Sequence, residues 1–63
     1  LEEIYEAHLR ATEVEMAIAL EIGDLGHVRG RLEALQGWIG DPLIPSRLRA
    51  EYDDLYARLQ QVL

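Results

Sequence analysis

The chain has 63 residues, a formal net charge of −6, a hydrophobic content of 49% and no cysteine. A chain this short allows one small domain, and the lack of cysteine excludes a disulfide framework or a thiolate metal site. The acidic balance argues against a general nucleic-acid surface, because that affinity comes mainly from basic side chains neutralising phosphates.

The longest uninterrupted apolar run, residues 16–20, is too short to cross a bilayer. We therefore expect a soluble, cytoplasmic protein that binds neither nucleic acid nor membranes. The chain begins with Leu1 rather than methionine and has no basic-then-apolar leader, which predicts either a piece of a longer protein or a processed chain.

The first predicted helix covers residues 2–22 and carries two adjacent apolar stripes at helical spacing. One stripe consists of Ile4, Ala7, Ala11, Val14, Ile18 and Ile22, and the other of Leu1, Tyr5, Leu9, Met16, Ala19 and Leu20. Together they form an apolar arc wide enough to contact two neighbouring helices. Six glutamates and one arginine give this segment a charge of −5, most of it on the remaining face.

A tight turn should follow, because Gly23 suits the position after a helix and Asp24 suits the N-cap of the next one. So short a connection predicts that the first two helices fold back as an antiparallel hairpin. The second helix should cover residues 25–39. Its apolar stripe consists of Leu25, Val28, Leu32, Leu35 and Ile39.

The opposite side of the second helix is nearly free of side chains. Each interior glycine costs about 0.5–1 kcal/mol relative to alanine, so a compensating contact is expected. Rows of small residues permit close helix–helix approach, either inside this domain or against a neighbouring repeat or a second copy. Plain drift on an exposed face is the alternative. The small residues on this side are Gly26, Gly30, Ala34 and Gly37.

Two larger residues complete the candidate partner-contact set. Trp38, with Arg31 and Arg29 nearby, could stack on or bind an acidic partner. A single tryptophan at the end of a helix more often caps the core. Gly26, Gly30, Ala34, Gly37, Arg31 and Trp38 are therefore the residues that we expect at a partner surface.

The third helix should cover residues 46–62, after a linker that two prolines stiffen. Pro45 suits the first turn, Ser46 suits helix initiation, and Leu43 and Ile44 should tuck under the helix ends. Its apolar pattern is the cleanest in the chain and consists of Leu48, Tyr52, Leu55, Tyr56, Leu59, Val62 and Leu63. Three i, i+4 ion pairs are expected on helix surfaces: Glu6–Arg10, Arg49–Asp53 and Asp54–Arg58.

Polar residues that could support chemistry are few. Tyr5, His8, Thr12 and Glu15 lie near one line of the first helix, which would suit a buried cluster with His8 as acid, base or ligand. A dimetal bundle needs paired Glu-x-x-His motifs from several helices, and the sequence has none. We expect a structural or solvated role for His8, no catalytic, metal or cofactor site, and no enzymatic activity.

The segment Ala-Ile-Ala-Leu-Glu-Ile-Gly-Asp-Leu at residues 17–25, followed by Val28, Leu32 and Leu35, resembles the turn and second helix of a tetratricopeptide-type repeat. Pro42 and Pro45 precede the next helix in a comparable way. The resemblance covers about residues 14–45. Leu25 replaces the usual aromatic residue, and the first helix is longer than in a standard repeat. The resemblance implies an α-helical scaffold that binds proteins or peptides, and it carries over no catalytic residues.

The sequence thus predicts an all-α fold of three helices, up-down-up, that either closes into a bundle or opens into a repeat-like array. The leading hypothesis for function is a non-enzymatic protein-interaction or oligomerisation module, with a protein partner or a second copy forming a homodimer. The alternative is a helical accessory or dimerisation domain of a transcription regulator or enzyme.

Overall fold

A computed structural model describes residues 2–63 and contains three helices: α1 (Glu2–Ile22), α2 (Leu25–Ile39) and α3 (Ser46–Gln61). Each helix contacts both others, so they form a closed bundle. Residues 2–63 include no strand, and the predicted all-α fold is confirmed. The expected packing of Leu1 lies outside the described residues.

The turn between α1 and α2 follows from its two central residues. Gly23 has a φ of +77°, a left-handed conformation that glycine adopts without strain, and its amide donates to the Leu20 carbonyl at 3.2 Å. The Asp24 side chain accepts from the amide of His27 at 3.1 Å and caps α2. The predicted cap residues are confirmed at both positions.

The linker to α3 differs from the expectation in two details. Pro45 lies at the N-cap position, and α3 begins at the next residue, Ser46. No side chain caps the first turn of α3, so the Ser46 hydroxyl does not have the capping role expected of it. Ile44 is buried as expected, whereas Leu43 is exposed. Asp41 holds the linker's turn, because its carboxylate accepts from the Leu43 amide at 2.9 Å.

The core lies where the three helices meet and is almost entirely apolar. Inside it the Tyr52 hydroxyl of α3 donates to the Tyr5 carbonyl of α1 at 2.6 Å, and burial raises the pKa of Tyr52 to about 12. A buried hydroxyl with a partner avoids the cost of an unsatisfied polar group. The buried apolar residues are Tyr5, Leu9, Met16, Ala19, Val28, Leu32, Leu35, Ile44, Leu48, Tyr52, Leu55 and Leu59.

Several residues predicted as core are exposed. The α1 stripe that begins at Ile4 points outward, because in a three-helix bundle both neighbours of α1 pack on the single line of Tyr5, Leu9, Met16 and Ala19. An apolar face of about 100° suffices for such a helix, and α1 carries more than that. The other exposed members of predicted stripes are Leu20, Leu25, Val62 and Leu63.

Two of the three surface ion pairs expected from the sequence form in the structure. Glu6–Arg10 forms at 3.7 Å and Asp54–Arg58 at 2.9 Å. Arg49 does not pair with Asp53. Its guanidinium instead donates to the Asp41 backbone carbonyl at 3.0 Å, which ties α3 to the linker.

Two matched substitutions on α1 test which of its stripes holds the bundle together. Leu9 is fully buried, so Leu9→Ala should lower the free energy of unfolding by about 2–5 kcal/mol. Ile18 is 55% exposed, so Ile18→Ala should change it by less than about 0.5 kcal/mol. Urea unfolding followed by circular dichroism measures both. Equal losses at the two positions would contradict this arrangement.

Candidate protein-interaction surface

The outward stripe of α1 exposes several large apolar side chains on one side of the helix. Ile4, Val14, Ile18 and Ile22 have 55–71% of their surface exposed, with Ala7 and Ala11 between them on the same line. From Ile4 to Ile22 this stripe is about 27 Å long at 1.5 Å per residue. Single exposed aliphatic residues are normal, but a contiguous apolar patch is typical of an interaction surface.

The glycines of α2 have no contact inside the bundle. A Cβ added at Gly30 or Gly37 would meet nothing within 4 Å, and at Gly26 it would meet only the Asp24 carboxylate at 3.7 Å. The alternative of close packing inside this domain is therefore wrong. The apolar stripe on the other side of α2 packs into the core, and the glycines are left facing outward.

The α1 stripe and the small residues of α2 border the same seam between the two helices. Near one end of the seam there is a shallow groove, which is lined by Ile4 of α1 and by Ala34, Gly37 and Trp38 of α2. Near the other end, Ile18 and Ile22 line a second one. We call the surface that contains both grooves the α1–α2 face. It consists of Ile4, Ala7, Ala11, Val14, Ile18 and Ile22 of α1 and Gly30, Ala34 and Gly37 of α2.

An aromatic cluster closes the first groove from below. The half-buried Trp38 ring stacks on His8 with ring centroids 3.7 Å apart, and Tyr5 meets it edge-on at 5.4 Å. The Tyr5 hydroxyl donates to Asp41 at 2.7 Å, a bond that raises the pKa of Tyr5 and lowers that of Asp41. Trp38 packs against the core as expected, and its aromatic partners are Tyr5, His8 and Tyr52.

Glu15 joins α1 to α2 across the middle of the seam. Its carboxylate lies 2.7 Å from the Arg31 guanidinium and 3.2 Å from the His27 ring nitrogen. The hydrogen bond from Arg31 lowers the pKa of Glu15. Arg31 is thus engaged within the chain, which weakens its candidacy as a contact for an acidic partner.

Three of the polar residues on this line of α1 have separate hydrogen-bond partners. Thr12 turns back to the His8 carbonyl at 2.8 Å, while Tyr5 and Glu15 are held by Asp41 and Arg31. Among residues 2–63, no three histidine, aspartate or glutamate side chains come together as metal ligands. The His8 ring has a structural place, stacked on Trp38.

No family model, curated protein or solved structure gives a significant match to this chain. The resemblance of residues 14–45 to a tetratricopeptide-type repeat therefore stays a prediction. Within residues 2–63, no helix combines the length and apolar character needed to cross a membrane.

Of the six predicted partner-contact residues, Ala34, Gly37 and Trp38 come together in one groove, and Gly30 lies one turn before Ala34 on the same side of α2. Gly26 is exposed beside the turn, outside the α1–α2 face. The prediction missed the aliphatic residues of α1, which had been assigned to the core. The width of the apolar arc was the available signal, since it exceeds what two neighbours can cover.

Substitution of single glycines by alanine tests whether the space around them is open. Gly30→Ala should raise the free energy of unfolding by about 0.5–1 kcal/mol, because alanine is the better helix former and its methyl group meets nothing. Gly23→Ala is the control and should destabilise the fold, since its φ of +77° suits only glycine. Thermal unfolding of both variants measures the effect. A loss of stability in Gly30→Ala would show an internal contact at that position.

His8 should make stability depend on pH. Burial chiefly, and the charge of Arg31 next, lower the pKa of His8 below its ordinary 6.5, while Glu15 acts weakly in the opposite direction. The unfolded chain then binds this proton more readily than the folded one. The contribution of the neutral His8 ring to the free energy of unfolding is therefore complete above pH 6.5. It decreases as the pH falls from 6.5 through the lower pKa that His8 has in the folded chain.

His8→Gln should remove this dependence between pH 5 and 7. The free energy of unfolding, measured at a series of pH values, reports it, and Trp38 fluorescence should follow the same titration because the two rings are stacked. An unchanged slope in His8→Gln would contradict the assignment.

Proposed function

We propose that this chain is a non-enzymatic protein-interaction module whose α1–α2 face binds another polypeptide. The observation that carries the proposal is the coincidence on one face of large exposed aliphatic residues and unoccupied glycines. Ile4, Val14, Ile18 and Ile22 are more than half exposed, and beside them Gly30 and Gly37 have open space where a side chain would stand.

Both features are unfavourable in an isolated domain. Exposed isoleucine gives up the roughly 1.5–3 kcal/mol that full burial of its side chain would provide. A glycine inside a helix costs about 0.5–1 kcal/mol relative to alanine. A partner helix lying on this face would bury the aliphatic residues and use the missing side chains to approach α2 closely.

Site-specific photo-crosslinking tests the proposal. A benzophenone amino acid placed at position 18 should form discrete adducts in an extract of the cells that produce the protein. The same residue at position 62, which replaces an exposed valine after the end of α3, is the control and should form few. Ile4→Gln should reduce the adducts from position 18, because it removes apolar surface from the same stripe. Equal labelling at the two positions, or none at position 18, would refute the proposal.

A second candidate is a dimerisation domain within a larger regulator or enzyme, which the size of the face favours. The apolar stripe of α1 is about 27 Å long, and a second copy packed along it would bury apolar side chains on both chains.

Sedimentation equilibrium over a concentration series tests this candidate. It predicts a dimer that Gly30→Leu converts to a monomer with its helix content retained, since the leucine side chain would stand in the contact. Asp53→Leu on the solvent side of α3 is the control and should leave the mass unchanged. A monomer in every form at all concentrations would eliminate dimerisation and leave binding to a different chain.

A further inference from the structure

We infer that the partner of the α1–α2 face is a basic amphipathic helix from another protein. The inference rests on the proposed function and adds the chemistry of the occupant. It follows from the distribution of charge around the face, which differs from that on the rest of the bundle.

The edges of the face carry acidic residues without ion-pair partners. Glu3 and Glu21 flank the stripe on the side of α1 away from α2, and Glu33 lies beside Gly30 and Gly37 on the far side of α2. All three are exposed, and within residues 2–63 none of them lies within 4.0 Å of a basic group. Arg29, one turn before Glu33, lies further round toward α3.

The acids on the other side of α1 are neutralised. Arg47 of α3 pairs with Glu2 at 2.7 Å, and Arg58 of α3 approaches Glu13 at 3.9 Å. Arg10 lies on the same side of α1 as Glu3, but its guanidinium turns toward α3 and binds Glu51 at 2.8 Å. Three of the six arginines thus lie at the α1–α3 surface, and a fourth, Arg31, is paired with Glu15 in the seam.

Carboxylates also stand at both ends of the seam. Asp41 lines the groove that contains Ile4, and Asp24 lines the groove that contains Ile18 and Ile22. An occupant of this face therefore meets an apolar floor about 27 Å long on α1, with negative charge along its edges and at its ends. Beside the middle of this floor lie Glu15 and its partners Arg31 and His27. A helix of about 18 residues has that length. One apolar side with lysine or arginine on its flanks would match both the floor and the edges.

A second copy of this chain fits the same charges poorly. Two α1–α2 faces placed together would bring acidic edges against acidic edges, with a net charge of −6 on each copy. Like charges set against each other at an interface oppose association. The apolar floor alone would accept either occupant, and the edges favour the basic one.

Isothermal titration of the chain with two designed peptides tests this inference. Each peptide has about 18 residues with leucine on one side of the helix, and the other side carries lysine in the first peptide and glutamate in the second. The lysine peptide should bind with an affinity that falls as salt is raised, and the glutamate peptide should bind at least about tenfold more weakly.

Substitutions locate the binding on the face. Val14→Gln combined with Ile18→Gln should weaken the lysine peptide about tenfold or more, whereas Val62→Gln combined with Leu63→Gln, at two apolar positions similarly exposed, should leave it unchanged. Glu21→Lys should weaken it up to about fivefold. Asp53→Lys changes the net charge equally on α3 and should have a much smaller effect.

Four outcomes would overturn the inference, and a fifth would refute the proposed function on which it rests. Equal affinity for the two peptides, or equal effects of Glu21→Lys and Asp53→Lys, would show that the acidic edges of the face do not favour a basic partner. A dimer that Ile18→Gln dissociates would make the second copy the occupant and leave the proposed function standing. Failure of both peptides to bind, while position 18 still forms crosslinks, would also refute only the basic helix. Absence of those crosslinks would refute the proposed function itself.

Discussion

Tyr5 is the residue through which every part of this bundle is joined. Its carbonyl accepts the buried Tyr52 hydroxyl of α3, its ring packs edge-on against Trp38 of α2, and its own hydroxyl donates to Asp41 in the linker. These contacts fix the rotation of α1 about its axis. Because successive residues of a helix differ by about 100°, placing Tyr5 inward directs Ile4 outward, and the whole stripe that follows Ile4 at helical spacing is directed outward with it.

The parts of the fold that depend on local chemistry could be predicted from the sequence. Gly23 and Asp24 define their turn because only a few residue types suit those positions, and the single clean stripe of α3 defines its buried side. On α1 the sequence offered two stripes of similar quality, and periodicity cannot tell which one packs. That choice depends on long-range contacts such as Tyr52 to Tyr5, 47 positions apart in the chain. Only half of the candidate surface can therefore be predicted from the sequence. The pattern identifies its glycines but places its aliphatic residues in the core.

The rotation of α1 about its axis also determines where the charged residues lie on the bundle. Once Tyr5 and Leu9 face inward, Glu2, Glu6 and Glu13 come close to the arginines of α3, and Arg10 reaches across to Glu51. Exposed ion pairs of this kind each contribute about 0–1 kcal/mol, so they add little to stability. Their larger consequence is positional, because they hold Arg10, Arg47 and Arg58 at the α1–α3 surface. Around the α1–α2 face, Arg31 compensates Glu15, whereas Glu3, Glu21 and Glu33 have no ion-pair partner within residues 2–63.

A small bundle gains little stability from one core, about 3–5 kcal/mol in chains shorter than 70–80 residues. Three glycines in the 15 residues of α2 cost about 1.5–3 kcal/mol in total, and contacts inside the bundle recover little of it. A partner that binds only the folded chain stabilises it in proportion to the logarithm of its concentration over Kd, by about 2.7 kcal/mol at a hundredfold excess. Binding on the α1–α2 face would therefore offset what the glycines cost. Under the proposed function, the open surroundings of Gly30 and Gly37 and the exposure of the α1 stripe would share one physical explanation, a surface whose sequence is adapted to the bound state.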